Sequence, residues 1–343
     1  MGVKLAPLVT PKILTLEELR GRTFAVDAAN QLHQFLALIR TPDGVPLKDR
    51  KGRVTSHLVG LLYRTTRLIT EYDLKLIFVF DGKPPDLKTD EIQKRRAIRK
   101  QAEHDYEKAI AKGDMKTAWS KAVATGRLTP IMAKEAQQVL TYLGIPFVQA
   151  PGEGEAQAAY MVQRGDAWAT ASRDFDALLF GSPRLLRYLT ITGRKRLPSK
   201  GTSVPLEPEL IELNQILRTY KITRDQLVDM ALLIGTDFHP GVPQIGPKTA
   251  LKLITENNSL DNLPSKILEK LPPNYHQLRR IFLDHPISDD YDLTAPSIDK
   301  EGLIQFLCQE RGFSEVRVAK RVDLLLKARE QQRQKSLDAW TGS

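Results

Sequence analysis

Cysteine is almost missing from this chain. Cys308 is the only one in 343 residues, which excludes an intrachain disulfide and a thiolate zinc site. Histidine is scarce as well, with six residues scattered outside any metal-ligand spacing. No Ser-His-Asp order or nucleophilic cysteine is evident, so a covalent triad mechanism finds no support. No apolar run is long enough to span a bilayer. The start, Met1-Gly-Val-Lys-Leu-Ala6, lacks both a signal segment and the hydroxyl residue that myristoylation needs at position 6. An intracellular soluble protein is the expectation. Acid is outnumbered by base, with 41 Asp and Glu against 51 Lys and Arg, a net charge of +10. Hydrophobic residues make up 41%, enough for the core of one large α/β domain or about two ordinary ones.

Against that basic background, four carboxylates fall in two spaced pairs: Glu153 and Glu155, then Asp174 and Asp176. The apolar runs 145–148 and 167–171 lead into them, and each reads as a short buried strand. Thr23 to Val26 and Leu76 to Phe80 are two more such runs, ending in Asp27 and Asp81. A further strand is expected at 185–190. Strands separated by helical patterns imply a mostly parallel sheet with helices on both faces. In such sheets ligands gather beyond the carboxyl ends of the strands, so the acids are expected at one edge. Acids that repel one another need cations or protons, and oxygen-only donors favour Mg²⁺ or Mn²⁺. Two residues of helix turn through about 200°, so Glu153 and Glu155 face one point only if Glu153 lies in the loop and Glu155 in the first helical turn.

The segment 83–130 breaks the alternation. It holds twelve Lys and Arg against seven Asp and Glu, and Lys94 to Lys100 concentrates positive charge. It reads as a helical insertion leaving the sheet beside Asp81, with Lys88 and Arg95 seven apart and so on one face. An amphipathic helix over 131–143 returns the chain to the sheet. Residues 195–209 look like a loop. A helix over 226–234 precedes Asp237, and Gly241 to Ala250 reads as a Gly-rich hairpin opening a helix, with Lys248 at its start. Backbone N–H groups at a helix N-terminus suit a phosphate. From 259 to 330 the pattern is helical and amphipathic. The stretch 331–343 is polar and reads as a disordered tail, with Leu337 and Trp340 one helical turn apart as anchors for a partner.

Together these blocks resemble the flap endonucleases of the structure-specific 5′ nuclease superfamily, in the archaeal form. The resemblance rests on Val26-Asp-Ala28, Thr55-Ser-His57, Val79-Phe-Asp-Gly-Lys-Pro-Pro85, Ala150 to Ala156, Arg173 to Asp176 and the hairpin from Gly241, in one order. It implies an α/β, PIN-like, mostly parallel sheet flanked by helices, with a helical arch insertion and a helix-two-turn-helix DNA-binding element. The nuclease core would be 1–330. Its N-terminal region 1–82 and internal region 131–258 would be interrupted by the arch 83–130. The helix-two-turn-helix would lie at about 226–256, a C-terminal helical region at 259–330, and a flexible clamp-binding tail at 331–343. By motif position Asp27, Asp81, Glu153, Glu155, Asp174, Asp176 and Asp237 would hold two Mg²⁺ ions, with Mn²⁺ as a substitute. Lys88 and Arg95 would contact the scissile phosphate. DNA contacts are implied for His33, Thr55, Ser56, Arg64, Glu153, Gly235, Asp237, Gly246, Lys248 and Thr249, with a K⁺ ion at the helix-two-turn-helix. Thr55 and Ser56 fall near the family's 3′-flap pocket. Gln334, Leu337 and Trp340 resemble the sliding-clamp (PCNA) motif. Two departures stand out. His33 replaces the usual stacking Tyr, and Thr341 stands where the clamp motif has a second aromatic.

The implied activity is two-metal hydrolysis of a phosphodiester at 5′ flaps of branched DNA, with 5′-3′ exonuclease activity, in DNA replication (Okazaki fragment processing) and repair. A monomer without membrane contact is expected, cytoplasmic if archaeal and nuclear if eukaryotic. Three rivals stay open at this point. A 5′ exonuclease of ends and gaps uses the same chemistry. A non-catalytic DNA- or clamp-binding scaffold would tolerate lost acids, and all seven are present. A small-molecule phosphatase has no evident use for the basic insertion and the hairpin.

Overall fold

The structure is a computed structural model. It describes residues 2–41, 44–83, 128–190, 193–197 and 202–341, with isolated positions between 101 and 117. For 193–197, 202–205 and 335–341 the description covers the backbone alone. Most of the expected arch, Lys88 and Arg95 included, lies outside the described residues.

Nine strands are described: β1 (Lys12–Ile13), β2 (Thr23–Asp27), β3 (Lys75–Phe80), β4 (Phe147–Gln149), β5 (Ala169–Ala171), β6 (Arg184–Arg187), β7 (Gly193–Leu197), β8 (Thr202–Leu206) and β9 (Glu209–Glu212). Seven form one sheet in the order β1-β9-β6-β5-β2-β3-β4. The strands from β6 to β4 across the sheet are all parallel, and β9 and β1 close one side antiparallel. The interior residues of β2 and β3 are all apolar, as suits strands covered by helices on both faces. Phe24, Ala25 and Val26 of the central β2 are fully buried. Alternate residues point to opposite faces: Phe24, Val26 and Phe78 enter one apolar cluster, Ala25, Ile77 and Val79 another.

The helices that matter here are α1 (Ala28–Leu38), α2 (Pro130–Tyr142), α3 (Gly154–Arg164), α4 (Asp176–Leu179), α5 (Arg224–Ile234), α6 (Pro247–Asn257) and α7 (Glu315–Thr341). The chain runs β2, β3, β4 outward in one direction, then crosses back to place β5 on the other side of β2. That reversal is a switch point, where two connections leave in opposite directions and open a crevice at the carboxyl edge. On another side of the molecule, Glu135 of α2 accepts from buried His57 at 3.0 Å and from Arg311, tying the helix that follows the insertion to the C-terminal region.

Three expectations are corrected. Residues 195–209, read as a loop, contain parts of the β7–β8 hairpin and the start of β9, which pairs with β6 on one side and β1 on the other. The C-terminal region is not helical throughout: Tyr275–Leu283 is followed by irregular chain up to Lys300. Pro286 and Pro296 disfavour helix there, and Gln157 fastens the segment through both bonds of Ser288 at 2.8 Å. The stretch from Gln331, read as disordered, continues α7 through Thr341. It contains no Gly or Pro before Gly342, and its Gln, Arg, Lys, Leu and Ala residues are good helix formers.

Candidate active site

The acid-bearing segments meet at the carboxyl edge around the switch point. Asp27 ends β2 and caps α1, its Oδ1 accepting from Asn30 N at 3.0 Å. Asp81 follows β3, and its Oδ1 accepts from Gly154 N at 2.7 Å. Two glycines make that approach feasible. A Cβ at Gly154 would stand 2.8 Å from Asp81 Oδ1, and one at Gly82 would stand 2.1 Å from the Ala150 carbonyl oxygen. Glu153 occupies the N-cap position of α3 and Glu155 its first turn, the arrangement that the two-residue step requires. Carboxylates there also face the positive end of the helix dipole. Asp174 lies in the loop after β5, and Asp176 opens α4 with Val3 N donating to its Oδ1 at 2.8 Å. Asp237 arrives from the turn after α5.

The electrostatics show which acids share one field. Burial, then Asp81 and Asp174, push the Asp27 carboxyl from 3.8 up to about 7. Burial, then Asp237 and Asp174, push Asp176 from 3.8 to about 7. Glu155 is raised well above its ordinary value by burial and by Asp27, Asp176 and Asp174. Six of the seven expected acids therefore act on one another: Asp27, Asp81, Glu155, Asp174, Asp176 and Asp237. Glu153 stands beside them at the start of α3. Among the described residues, no three His, Cys, Asp or Glu side chains stand close enough together to hold a metal ion as they are placed. A hard cation that keeps several of its waters needs few direct protein ligands. An all-oxygen, acidic, partly buried donor set of this kind fits a divalent metal.

Two polar residues not anticipated from sequence hold the cluster together. Asn30 Nδ2 donates to Asp174 Oδ2 at 2.9 Å, and Asn30 Oδ1 accepts from Gln34 Nε2 at 2.5 Å. Ser172 Oγ lies 3.1 Å from Asp27 Oδ2 and 2.6 Å from Glu155 Oε1. Both residues sit within three positions of an expected ligand, and that proximity was the only available signal.

The other expected contact residues lie on separate elements. His33 is exposed on α1. Arg64 is half-buried, with Nη1 3.4 Å from the Thr190 carbonyl, and burial lowers its pKa. Thr55 and Ser56 are buried rather than open to a ligand. The Ser56 hydroxyl donates to the Ile39 carbonyl at 2.6 Å and accepts from Leu47 N at 2.9 Å, so it organises the 39–56 turn instead. At the entry to the expected helix-two-turn-helix, Thr223 forms a capping box with Gln226 at the start of α5. Gly235 takes φ +112, and Val242 N bonds the Leu233 carbonyl at 2.8 Å to close the turn. α6 then starts with Gly246 at the N-cap and Pro247 in its first turn, and Gly246, Lys248 and Thr249 are exposed. No atom lies within 4 Å of a Cβ built at Gly246, so the helix N-terminus is open to a close-lying backbone phosphate. Gln334 is exposed on α7; Leu337 and Trp340 belong to its final turns, where only the backbone is described. Among the described residues no helix is long and apolar enough to cross a membrane.

Comparison with known proteins gives the family. Residues 1–102 match the family model of the XPG N-terminal domain, and residues 144–237 that of the XPG I-region. These two segments contain all seven expected acids. Flap endonuclease 1 of Pyrococcus horikoshii is 45% identical over 99% of this chain and 98% of its own length. Its counterpart from Methanothermobacter thermautotrophicus is 47% identical over 99% of this chain and 100% of its own. The solved flap endonuclease-1 from Methanococcus jannaschii has the same fold, with a TM-score of 0.76 at 40% identity, covering 96% of this chain and 100% of that one. Likeness over nearly the full length, to proteins of one kind, leads to one conclusion: the chain belongs to the flap endonuclease family.

Proposed function

We propose that this chain is a structure-specific 5′ flap endonuclease with associated 5′-3′ exonuclease activity, cutting branched DNA where a single strand meets duplex. The observation that carries the reading is the field of six carboxylates at the switch point of the sheet. Divalent ions bound there, two Mg²⁺ or Mn²⁺ per site, supply an activated water and charge neutralisation. Asp27, Asp81, Glu153, Glu155, Asp174, Asp176 and Asp237 would hold them. Lys88 and Arg95, in the insertion that begins beside Asp81, would hold the scissile phosphate and offset charge as it builds. The exposed start of α6 would grip duplex backbone, with a K⁺ ion in the preceding turns and Lys248 adding charge. His33 and Arg64 would contact DNA near the cut. Gln334, Leu337 and Trp340 would bring the enzyme, as a monomer, to a sliding clamp.

The deciding experiment is Mg²⁺-dependent cleavage of a labelled double-flap DNA, beside single-stranded and blunt duplex DNA, by wild type and Asp174→Ala. Junction cutting by wild type, lost in the variant while duplex binding persists, is the expected outcome. Cutting from ends and gaps without junction preference would move the reading to a 5′ exonuclease. An Asp174→Ala enzyme that cuts at the wild-type rate would refute the site.

A further inference from the structure

Ser172 stands in the narrow space between three segments that each deliver an acid. Its Oγ lies 2.6 Å from Glu155 Oε1 on the first turn of α3 and 3.1 Å from Asp27 Oδ2 at the end of β2. The same oxygen accepts from Asp174 N at 3.3 Å. The residue is only 5% exposed. A serine hydroxyl carries one proton, and here it faces two carboxylate oxygens. It serves the nearer, Glu155, and leaves Asp27 Oδ2 with at most a share. Asp27 Oδ1 is already committed to the Asn30 N–H of the helix cap. Asp27 Oδ2 is thus held in place by a hydroxyl that is also engaged with Glu155, and a cation would give it a second partner.

We propose that Ser172 is a positioning residue for the reaction: its hydroxyl fixes the spacing of Glu155 and Asp27 so that a divalent cation meets two prearranged oxygens. The proposal rests on the reading of these acids as the metal site. Its physical content is that of partners lying behind a metal's direct ligands, whose removal typically weakens metal affinity by about 10- to 100-fold. The bond from Asp174 N to Oγ adds a link to the third acid-bearing segment, so a single hydroxyl sets the relation between all three.

The test is Mn²⁺ binding to the full-length protein without DNA, read by electron paramagnetic resonance of the free ion, for wild type, Ser172→Ala, Ser172→Thr and Asp174→Ala. Melting in EDTA reports on folding. Ser172→Ala is expected to bind Mn²⁺ about tenfold more weakly. Its cleavage defect should shrink as Mg²⁺ is raised, with KM for DNA unchanged at saturating metal. Ser172→Thr, which keeps the hydroxyl, is expected to bind close to wild type. Ser172→Ala that binds Mn²⁺ as tightly as wild type overturns the proposal, and so does a variant that only melts earlier in EDTA. If Ser172→Thr is as weak as Ser172→Ala, the loss belongs to packing and the proposal falls. If wild type and Asp174→Ala bind Mn²⁺ alike, the site reading itself fails and takes the proposal with it. Failure of Ser172 alone leaves that reading standing.

Discussion

Replacing Asp27 by Asn should make the metal-free protein more stable while abolishing its activity. Burial first, and then the neighbouring Asp81 and Asp174, push the Asp27 carboxyl from 3.8 to about 7. Below about pH 4 the unfolded chain is protonated at this position too, and the native site carries no penalty. As pH rises from about 4 to about 7, the unfolded chain gives up its proton while the native carboxyl keeps it. The unfolded state then binds fewer protons, so stability falls across this window, and the full cost is present above it. A displacement of that size corresponds to roughly 4 kcal/mol for one group. Asn still places an amide in a buried position, at about 1–3 kcal/mol, but it keeps the cap on α1. The expected net gain at pH 8 is about 2 kcal/mol. At about 2.1 cal/mol/K per residue, that raises Tm by about 3 °C. Thermal melts in EDTA at pH 5 and pH 8 measure it, and the gain should shrink at the lower pH. Adding Mg²⁺ should stabilise wild type more than Asp27→Asn. An Asp27→Asn protein that melts at or below the wild-type temperature at pH 8 in EDTA would refute the argument that burial and repulsion together strain this site.

Three further outcomes are expected. Lys88→Ala and Arg95→Ala should each lower the single-turnover cleavage rate strongly with smaller effects on affinity; a loss confined to binding would leave them a purely electrostatic role. Lys248→Ala should weaken duplex binding without sequence preference and reduce the slope of log K against log salt by about one unit, and an unchanged slope would return the start of α6 to packing. Trp340→Ala should cost about 2 kcal/mol or more of clamp binding, roughly thirtyfold, while sparing clamp-independent cleavage; calorimetry of a 331–343 peptide against the clamp reads it directly.

The parallel strands were legible because a strand buried on both faces must be an unbroken apolar run. β2 and β3 match the runs read from sequence to within a residue at each end. The placement of Glu153 and Glu155 was legible for a geometric reason, since mid-helix the two would diverge. β1 and β9 were not legible: they are two and four residues long, and their partners lie far along the chain. The β7–β8 segment, rich in Lys, Ser, Gly and Pro, has the composition of a loop, and its pairing is set by register rather than by apolar content. Ser56 illustrates a different limit. A small hydroxyl can face a ligand or satisfy backbone groups, and only its neighbours Ile39 and Leu47 decide which. The same ambiguity hid Asn30 and Ser172, whose importance arises from segments that meet only after folding.

The apolar interior falls into three clusters of buried residues, and the acids sit on elements that feed all three. Phe35 of α1 packs in one body of side chains, Ala158 and Met161 of α3 in a second, and Leu178 of α4 with Leu232 of α5 in a third. Asp27, Glu155, Asp176 and Asp237 are carried on or beside these same elements. The clusters share elements, since α3 and β2 each contribute to two of them, and the acids lie at the ends of those elements. A cation seated there would join elements rooted in all three clusters as well as serve as a reagent. Its grip then depends on how firmly each body holds its own shape, so a cavity opened deep in any of them, far from the chemistry, reaches the site as a change in how tightly the ion is held.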